Sequence, residues 1–584
     1  MGNSFKALSN ATNIHKTPQS QPIPHANQVQ NSAGGYSWEV DDWTKLDRFL
    51  ILGTEGGSYY ASQRNLTLTN IKSLEACIRK DGVRVVNRIV EISDQGRAPK
   101  NDPALFAIVA CMKLGDNATK RLARAALPKV ARIGTHLFHA VAFLQGSFKG
   151  WNPRVQKAFA SWYQDRELYN LALQLVKYQQ RDGWSHRDVL RLAKPRGHSR
   201  DSYLDLLLRY ATKGLEGMGD EFMQTELSSD NPLRLIWAHE KAKTSTLAKE
   251  IVLLINEYRL PRECIPTQFL NDKSVWEALL FGGGKYGMPV GALVRNLAKM
   301  TAVGLLDPMS NGAAKVIDML GAEELLQHAR LHPLQVLVAL NTYKMGHGVK
   351  GSLTWTPNQN IVDALDEAFY KTFKTVEPTG KRWLLALDVS GSMGGPEIAG
   401  MPGITPRIGS AAMAMITARV EKQHHFIGFT SAGGGGWYGG GKTITRADLW
   451  SPPGYHGSFG SGNGVSALNI SPRQRLDTVI SNISGLPFGG TDCSLPMQYA
   501  QANNIPVDVF AVYTDSETWA GKIHPTQALR EYRQKMGIDA RLIVVGMVAN
   551  KFSIADPNDR GMLDVVGFDT ATPNIMSGFA KGEL

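Results

Sequence analysis

The chain has 584 residues, of which 43% are hydrophobic, 64 are Lys or Arg and 52 are Asp or Glu. This length predicts more than one domain, since single cores stop growing at about 250–300 residues, and the apolar content excludes a wholly disordered or fibrous chain. Four cysteines without C-x-x-C spacing argue against a structural zinc cluster and against a disulfide-stapled secreted domain. No signal peptide and no long apolar run are evident, so we expect a cytoplasmic protein without membrane association.

The net charge of +12 lies almost entirely in the first two thirds of the chain. From Lys381 onwards there are 17 basic and 16 acidic residues, whereas the preceding residues hold 47 basic and 36 acidic ones. Such a basic part predicts a polyanionic partner such as nucleic acid. On charge alone, a basic surface without a specific partner is an equal alternative.

Residues 1–40 are rich in Asn, Ser, Gln and Pro, which indicates a flexible N-terminal arm. Residues 41–373 carry apolar residues at three- and four-residue spacing, in segments such as NPRVQKAFASWYQ, ELYNLALQLVKYQQ and HPLQVLVALNTYKMG. Short Gly, Asn, Asp or Pro stretches separate these segments. The pattern predicts an all-α, HEAT-like solenoid whose repeats are degenerate, because no fixed period is visible.

Residues 374–584 have a different pattern. The apolar runs KRWLLALD, HHFIGFT, DVFAVYT and ARLIVVGMV alternate with helix-like segments. Buried strands that alternate with helices predict an α/β, doubly wound parallel sheet. The Gly- and Ser-rich stretch at 431–468 indicates a long exposed insertion.

A pattern of hard oxygen ligands follows the predicted strands. Asp388, Ser390 and Ser392 come directly after the first strand, Thr491 precedes a helix, and Asp515 ends another strand. Ligands bind at the carboxyl ends of parallel strands, and carboxylate and hydroxyl oxygens suit Mg²⁺ or Mn²⁺. This D-x-S-x-S…T…D pattern resembles the metal-ion-dependent adhesion site of von Willebrand factor A domains. The alternative is that the serines cap a helix and that Asp515 lies in a solvated turn.

Residues 436–443, GWYGGGKT, match the phosphate-binding loop of nucleotide-binding proteins. Such a loop needs a strand before it and a helix after it. Pro452 and Pro453 follow shortly and prevent a long helix. We therefore treat nucleotide binding here as the weaker interpretation.

The basic residues are most concentrated between Lys177 and Arg200, where seven Lys or Arg accompany two Asp. On a helix that starts near Ser185, residues 187, 191 and 194 share one face, where they could contact phosphates, with His186 available to stack on a base. A solvated basic face is the alternative. The residues predicted to bind RNA are Lys177, Arg181, His186, Arg187, Arg191 and Lys194, with Arg132 and His136 from an earlier basic patch.

Several longer strings, among them GTHLFHAVAF, KYQQRDGWSHRDVLRL, LDEAFYKTFKTVEPTGKR and IADPNDRGMLDVVGFDT, resemble the Ro autoantigen family. The resemblance runs from about Trp43 to the end of the chain. It implies a TROVE domain, folded as a monomeric ring of helical repeats, joined to a von Willebrand A domain. It also implies that small noncoding Y RNAs bind outside the ring and that single-stranded 3′ ends of misfolded RNAs enter its hole. His186 matches a histidine that the family needs for Y RNA binding.

We therefore expect an RNA-binding scaffold without catalytic activity, which acts in RNA quality control, stability or processing, with an exoribonuclease as a further partner. A metal-dependent adhesion module is one alternative, although the basic helical part argues against it. A nucleotide hydrolase that uses residues 436–443 and a metal-dependent nuclease are the enzymatic alternatives. A two-metal nuclease needs more clustered carboxylates than Asp388 and Asp515 provide.

Overall fold

The structure of the chain is a computed structural model. It describes residues 16–55, 57–59, 61–148, 150–195, 202–219, 222–224, 227, 231–282, 287–348, 351–373, 376–395, 397–431, 449–450, 464–484 and 489–583. The chain folds as two compact units. The sheet unit is formed by Met1–Ser73 together with Phe373–Leu584, and the helical unit is formed by Leu74–Thr372. Among the described residues, no helix combines the length and apolar character that crossing a membrane requires.

The helices are α1 (Asp42–Leu52), α2 (Gln63–Asp94), α3 (Asp102–Leu114), α4 (Asn117–Val130), α5 (Gly134–Phe143), α6 (Pro153–Gln164), α7 (Leu168–Lys177), α8 (His186–Ala193), α9 (Ser202–Lys213), α10 (Arg234–Thr244), α11 (Ala248–Tyr258), α12 (Lys273–Phe281), α13 (Val290–Ala302), α14 (Asn311–Gly321), α15 (Glu323–His328), α16 (Pro333–Met345), α17 (Gln359–Lys371), α18 (Pro406–Val420), α19 (Leu476–Ser484), α20 (Leu495–Ala502), α21 (Pro525–Met536) and α22 (Thr572–Lys581). The strands are β1 (Gln28–Gln30), β2 (Tyr36–Glu39), β3 (Gln180–Arg181), β4 (Trp184–Ser185), β5 (Arg382–Asp388), β6 (Gln423–Phe429), β7 (Leu449–Trp450), β8 (Val465–Leu468), β9 (Val509–Thr514), β10 (Arg541–Gly546), β11 (Phe552–Ser553) and β12 (Met562–Val566).

Local sequence signals set where the helices of the helical unit begin. Asp116, Asn152 and Ser185 each precede a helix, and each side chain accepts a hydrogen bond from a backbone N–H of its first turn. Pro153 and Pro333 occupy the first positions of α6 and α16, where a missing N–H costs nothing. The predicted series of short helices is confirmed.

The helical unit closes on itself. Arg330, just before α16, forms an ion pair with Asp94 at the end of α2, with 2.8 Å between Nη2 and Oδ1. His332 accepts a hydrogen bond from the N–H of Leu334 at Nδ1, so its Nε2 carries the proton and donates to the carbonyl of Arg97. These bonds join segments 235 and 236 residues apart, so the early and late helices of the unit contact each other directly.

The sheet unit contains a seven-stranded sheet in the order β12–β10–β9–β5–β6–β8–β7. The five strands from β12 to β6 are parallel, and β8 and β7 are added antiparallel at one edge. The four predicted strands are β5, β6, β9 and β10, and their side chains, such as Leu384, Phe510 and Leu542, are fully buried. The doubly wound α/β fold is confirmed.

The structure corrects the predicted arm over residues 1–40, because its described part packs against the sheet unit. β1 and β2 form a hairpin, and β2 pairs with β11. Gln19 is fully buried: its amide donates to Asp492 and to the carbonyl of Ile523, both at 2.8 Å, and its oxygen accepts from Thr518 at 2.5 Å. Amide-rich composition, which is typical of disorder, here supplies side chains that satisfy buried polar groups.

The start of the helical domain also differs from the predicted residue 41. α1 belongs to the sheet unit, and Arg48 on α1 is fully buried, with Nη2 2.7 Å from Oδ1 of Asp564 on β12. The helical unit begins at Leu74, within α2. Periodicity identified α1 as a helix but carried no information about which domain its apolar side covers.

Candidate nucleic-acid interface and metal centre

The helical unit presents basic side chains on three helices that pack side by side. α4 packs against α6, and α6 packs against α8, where the amide of Gln156 donates to the carbonyl of Leu192 at 3.1 Å. We call the exposed basic residues of these helices and of the residue after α8 the cationic face: Arg121, Lys129, Arg154, Lys157, Arg187, Arg191 and Lys194. Within the described residues, none of the seven is in an ion pair.

Two features present the basic residues of α8 to solvent. Ser185 and Asp188 form a capping box: the Ser185 hydroxyl and N–H both donate to the Asp188 carboxylate, at 2.6 and 3.0 Å. One side of α8 is buried through Val189 and Leu190. Arg187 and Arg191 therefore face solvent with their charges unneutralised, as phosphate contacts require.

A groove of about 730 Å³ lies beside this part of the cationic face. Arg187, Lys213 and Lys243 are among its lining residues, together with Tyr210 and Glu240. Glu240 is already paired, since its Oε1 accepts hydrogen bonds from Tyr210 at 2.5 Å and from Lys243 at 2.6 Å. The groove is therefore a concave, polar surface beside the cationic face, with basic residues among those that line it.

The other predicted RNA-binding cations have protein partners. Lys177 lies 3.9 Å from Glu263, and Arg181, on β3, lies 3.6 Å from the neighbouring Asp182. Arg132 donates to the carbonyl and hydroxyl of Ser93, at 2.9 and 2.6 Å. Arg132 is thus held in an internal contact and is not on the cationic face, whereas Arg181 remains exposed.

The structure places the His186 side chain in a buried position, where it is one of the residues that line the groove. Its ring packs edge-on against Phe138, with 4.8 Å between ring centres, and its Nδ1 lies 2.9 Å from the Tyr163 hydroxyl. Burial lowers the pKa of His186 to about 4, so the ring is neutral at pH 7. His136 is also half-buried, and burial followed by Arg132 lowers its pKa to about 4.

The sheet unit brings the predicted metal ligands together at the carboxyl ends of its parallel strands. Asp388 accepts hydrogen bonds from the N–H of Ser390 at 2.9 Å and from the hydroxyl of Thr514 at 2.6 Å. The hydroxyls of Ser390 and Ser392 lie 3.2 Å apart. Each of the five predicted ligands, Asp388, Ser390, Ser392, Thr491 and Asp515, is at most 5% exposed.

Backbone hydrogen bonds hold the loops at these strand ends together. The N–H of Gly391 donates to the carbonyl of Gly489 at 3.2 Å, and the N–H of Trp519 donates to the carbonyl of Thr491 at 3.1 Å. Ser390 precedes a short 3₁₀ turn and makes no capping hydrogen bond with its side chain. The Ser390 hydroxyl is therefore not used to cap this turn.

The electrostatics of this site fit a divalent cation. Burial, followed by mutual repulsion, raises the pKa of Asp515 next to Asp388, and burial also raises the pKa of Asp388. Arg407 supplies one compensating guanidinium, which donates to the carbonyls of Val389 and Ser390 at 2.7 and 3.1 Å. No cluster of three or more His, Cys, Asp and Glu side chains suited to a metal occurs in the described part of the chain. The hydroxyls would therefore complete the ligand set, which is a pattern of hard donors suited to Mg²⁺ or Mn²⁺.

Sequence reasoning missed three residues around this site. Glu517 is 2% exposed and accepts a hydrogen bond from the N–H of Ser32 at 2.7 Å, and burial raises its pKa to about 7. Thr514 and Glu517 flank Asp515 in the string T-D-S-E, which was the available signal. No sequence pattern indicated Arg407, because its side chain reaches the site from a different element, α18.

Two sequence predictions fall outside the described residues. The phosphate-loop-like string at 436–443 is one, and most of the predicted insertion at 431–468 is the other. From that insertion the structure describes β7 and β8, which pair with each other at the edge of the sheet.

The chain matches two domain families along most of its length. The TROVE domain matches residues 29–342. The Ro60 vWA domain matches residues 382–435 and 457–580. The first match covers the cationic face, and the second covers all five predicted metal ligands.

Relatives match the whole chain. The RNA-binding protein RO60 of Deinococcus radiodurans is 38% identical over 583 residues, which cover 99% of this chain and 100% of that one. The protein of the same name from Caenorhabditis elegans is 34% identical over 636 residues, with 98% and 93% covered. The crystal structure of the Deinococcus radiodurans RO (RSR) protein superposes with a TM-score of 0.65 at 37% identity, and the match covers 93% of this chain and 100% of that one.

Proposed function

The chain belongs to the family that joins a TROVE domain to a Ro60 vWA domain, and we propose that it binds RNA, as the names of its relatives say of them. The observation that carries the proposal is the cationic face on α4, α6 and α8. Seven exposed basic residues without ion pairs attract a phosphate backbone, because their charge is not neutralised within the described protein. The adjacent groove gives unpaired nucleotides a place beside the phosphates.

The bound RNA in this proposal is a small structured noncoding RNA of the Y type. Single-stranded 3′ ends of misfolded RNAs bind at a separate surface, the central hole that the family resemblance implies. The protein then acts as a scaffold in RNA quality control, stability or processing, without catalysis of its own, and an exoribonuclease is a further partner. All four cysteines are buried thiols, which supports a reducing location such as the cytoplasm.

The sheet unit holds a divalent ion, Mg²⁺ or Mn²⁺, in this proposal. Asp388, Ser390, Ser392, Thr491 and Asp515 are the residues that would hold it. A bound ion of this kind supplies a positive charge that can accept an oxygen ligand from a partner. Arg407 and the backbone bonds of Gly391 and Thr491 keep the loops in place around it.

The alternatives have less support. A metal-dependent adhesion module explains the sheet unit and leaves the cationic face of the helical unit without a role. A nucleotide hydrolase depends on residues 436–443, which lie outside the described residues.

The test is to purify the protein from cells and to sequence the RNA that accompanies it. We expect small structured noncoding RNAs with the unchanged chain and their loss in the double variant Arg187→Ala with Arg191→Ala. The matched control is Lys273→Ala with Arg295→Ala, which removes two exposed cations from α12 and α13 and should retain the RNA. Equal RNA recovery with both double variants would contradict the proposal.

A further inference from the structure

His139 on α5 lies between two carboxylates that belong to different elements. Its Nδ1 pairs with Asp102 in the first turn of α3, and its Nε2 lies 2.9 Å from Asp182 in the turn between β3 and β4. The side chain of His139 is 15% exposed. Both ring nitrogens therefore lie at ion-pair distance from an acidic oxygen, although neither contact has hydrogen-bond geometry. Only a doubly protonated imidazolium gives both contacts a favourable charge and a donor.

The turn that carries Asp182 is a tight two-residue turn. Asp182 and Gly183 both have positive φ, 51° and 77°, as a type I′ hairpin turn requires. The hairpin is short, with two residues in each strand. Hairpins of two strands have little stability of their own, so contacts to neighbouring helices decide how firmly this one is held.

The hairpin leads directly into the cationic face. Ser185 is the last residue of β4 and also the N-cap of α8, so the hairpin sets where that helix begins. Arg187 follows two residues later and Arg181 lies on β3. A displacement of the hairpin turn would therefore shift basic residues on both sides of the turn.

We propose that His139 is a positioning residue for RNA binding: as a protonated bridge between Asp102 and Asp182, it holds the hairpin against α3 and α5, and its deprotonation releases the turn. A neutral imidazole donates one hydrogen bond and presents a lone pair to the second carboxylate, which is repulsive. The side chain of Asp182 is 51% exposed, against 32% for Asp102, so the contact between His139 and Asp182 breaks first.

The charged surroundings support the protonated form. The pKa of His139 is raised overall: burial lowers it, but the close contact and charge of Asp102 and the charge of Asp182 outweigh burial and the nearby Arg181. His136, one turn earlier on α5, has its pKa lowered to about 4 and stays neutral, so it adds no opposing charge at neutral pH. The bridge is thus formed below the raised pKa of His139 and is lost as the pH increases through it.

The inference rests on the proposed RNA binding, and its test has a readout on the protein alone. Hydrogen-exchange protection of the amides of residues 180–185 is measured from about pH 6 to about pH 8.5, together with the affinity for a small structured RNA. We expect both protection and affinity to decrease with pH, the affinity by about three- to tenfold, as linkage to one proton allows. Asp182→Asn should remove both pH dependences, because its amide can donate to the neutral imidazole and Asn tolerates a positive φ.

The exposed His328 provides a matched control, and His328→Gln should leave both profiles unchanged. His139→Gln is the second variant, which cannot be protonated and should give low, pH-independent protection. Protection that does not change with pH in the unchanged chain, or that changes equally in Asp182→Asn, would overturn the inference. Absence of RNA binding at every pH, with the protection profile as expected, would instead contradict the proposed function.

Discussion

The hydroxyl of Tyr163 on α6 lies 2.9 Å from Nδ1 of His186, the first residue of α8. The neutral ring accepts this hydrogen bond at Nδ1, so Nε2 carries the proton and faces the carbonyl of Gln174 at 3.4 Å. Gly134 packs closely here, since a Cβ at that position would lie 2.7 Å from Cβ of Tyr178 and 3.3 Å from Nε2 of His186. His186 therefore fixes the start of α8 against α6 and α7, and we expect it to affect RNA binding through the placement of Arg187 and Arg191.

Replacement of His186 by Ser should lower the free energy of unfolding by about 2–4 kcal/mol, because the change leaves a cavity and removes the partner of the Tyr163 hydroxyl. Affinity should decrease for every RNA that uses the cationic face. Thermal melts and RNA titrations at one salt concentration measure both effects. An unchanged melting temperature with loss of a single RNA class would show that the ring contacts RNA directly.

Acid should destabilise the helical unit. Burial lowers the pKa of His136, His186 and His239 to about 4 each. The unfolded chain binds a proton at each of these histidines near pH 6.5, whereas the folded chain does so only near pH 4. The free energy of unfolding is therefore highest above about pH 6.5 and decreases between about pH 6.5 and pH 4, by up to roughly 1.4 kcal/mol per pH unit for each histidine. Urea unfolding at a series of pH values measures the slope. A free energy of unfolding that stays constant over this range would contradict the burial of these rings.

Much of the architecture could be predicted from sequence, because short-range patterns encode it. The dense apolar run KRWLLALD predicted a buried strand, and the S-H-R-D string at 185–188 correctly placed the start of α8. The predicted parallel topology was sufficient to bring Asp388 and Asp515 together at the carboxyl ends of the strands.

Burial of individual polar residues could not be predicted, because it depends on contacts between distant segments. His186 follows Ser185 in a basic stretch and has the sequence context of an exposed residue, yet Phe138 and Tyr163 enclose it. Gln19 lies in a polar, Pro-containing stretch, and only the fold reveals that Asp492 and Thr518 are its partners. In both cases tertiary packing overrides the local composition.

We expect metal binding in the sheet unit and RNA binding in the helical unit to be independent of each other. Asp388→Ala should abolish binding of Mg²⁺ measured by calorimetry, since it removes one of two carboxylates in the ligand set, while RNA affinity stays nearly unchanged. Ser471→Ala, a change at an exposed position before α19, is the control and should bind the ion normally. Unaltered Mg²⁺ binding in the Asp388 variant would show that the ion is held elsewhere.

The N-terminal segment should stabilise the sheet unit. Gln19→Ala should lower the free energy of unfolding by about 2–4 kcal/mol, because Asp492 and Thr518 lose hydrogen-bond partners in a buried setting. The exposed side chain of Gln21 offers a matched control, and Gln21→Ala should change stability by less than about 0.5 kcal/mol. Equal stability of the two variants would contradict the burial of residue 19.

The most direct measurement of the central claim, that the cationic face binds RNA phosphates, is the salt dependence of affinity for one small structured RNA. We expect a steep loss of affinity with salt, and a slope of log affinity against log salt that is flatter by about one to two units in Arg187→Ala with Arg191→Ala. The control pair Lys273→Ala with Arg295→Ala should keep the original slope. An affinity independent of salt, or an unchanged slope in the Arg187 and Arg191 double variant, would contradict phosphate binding by the cationic face.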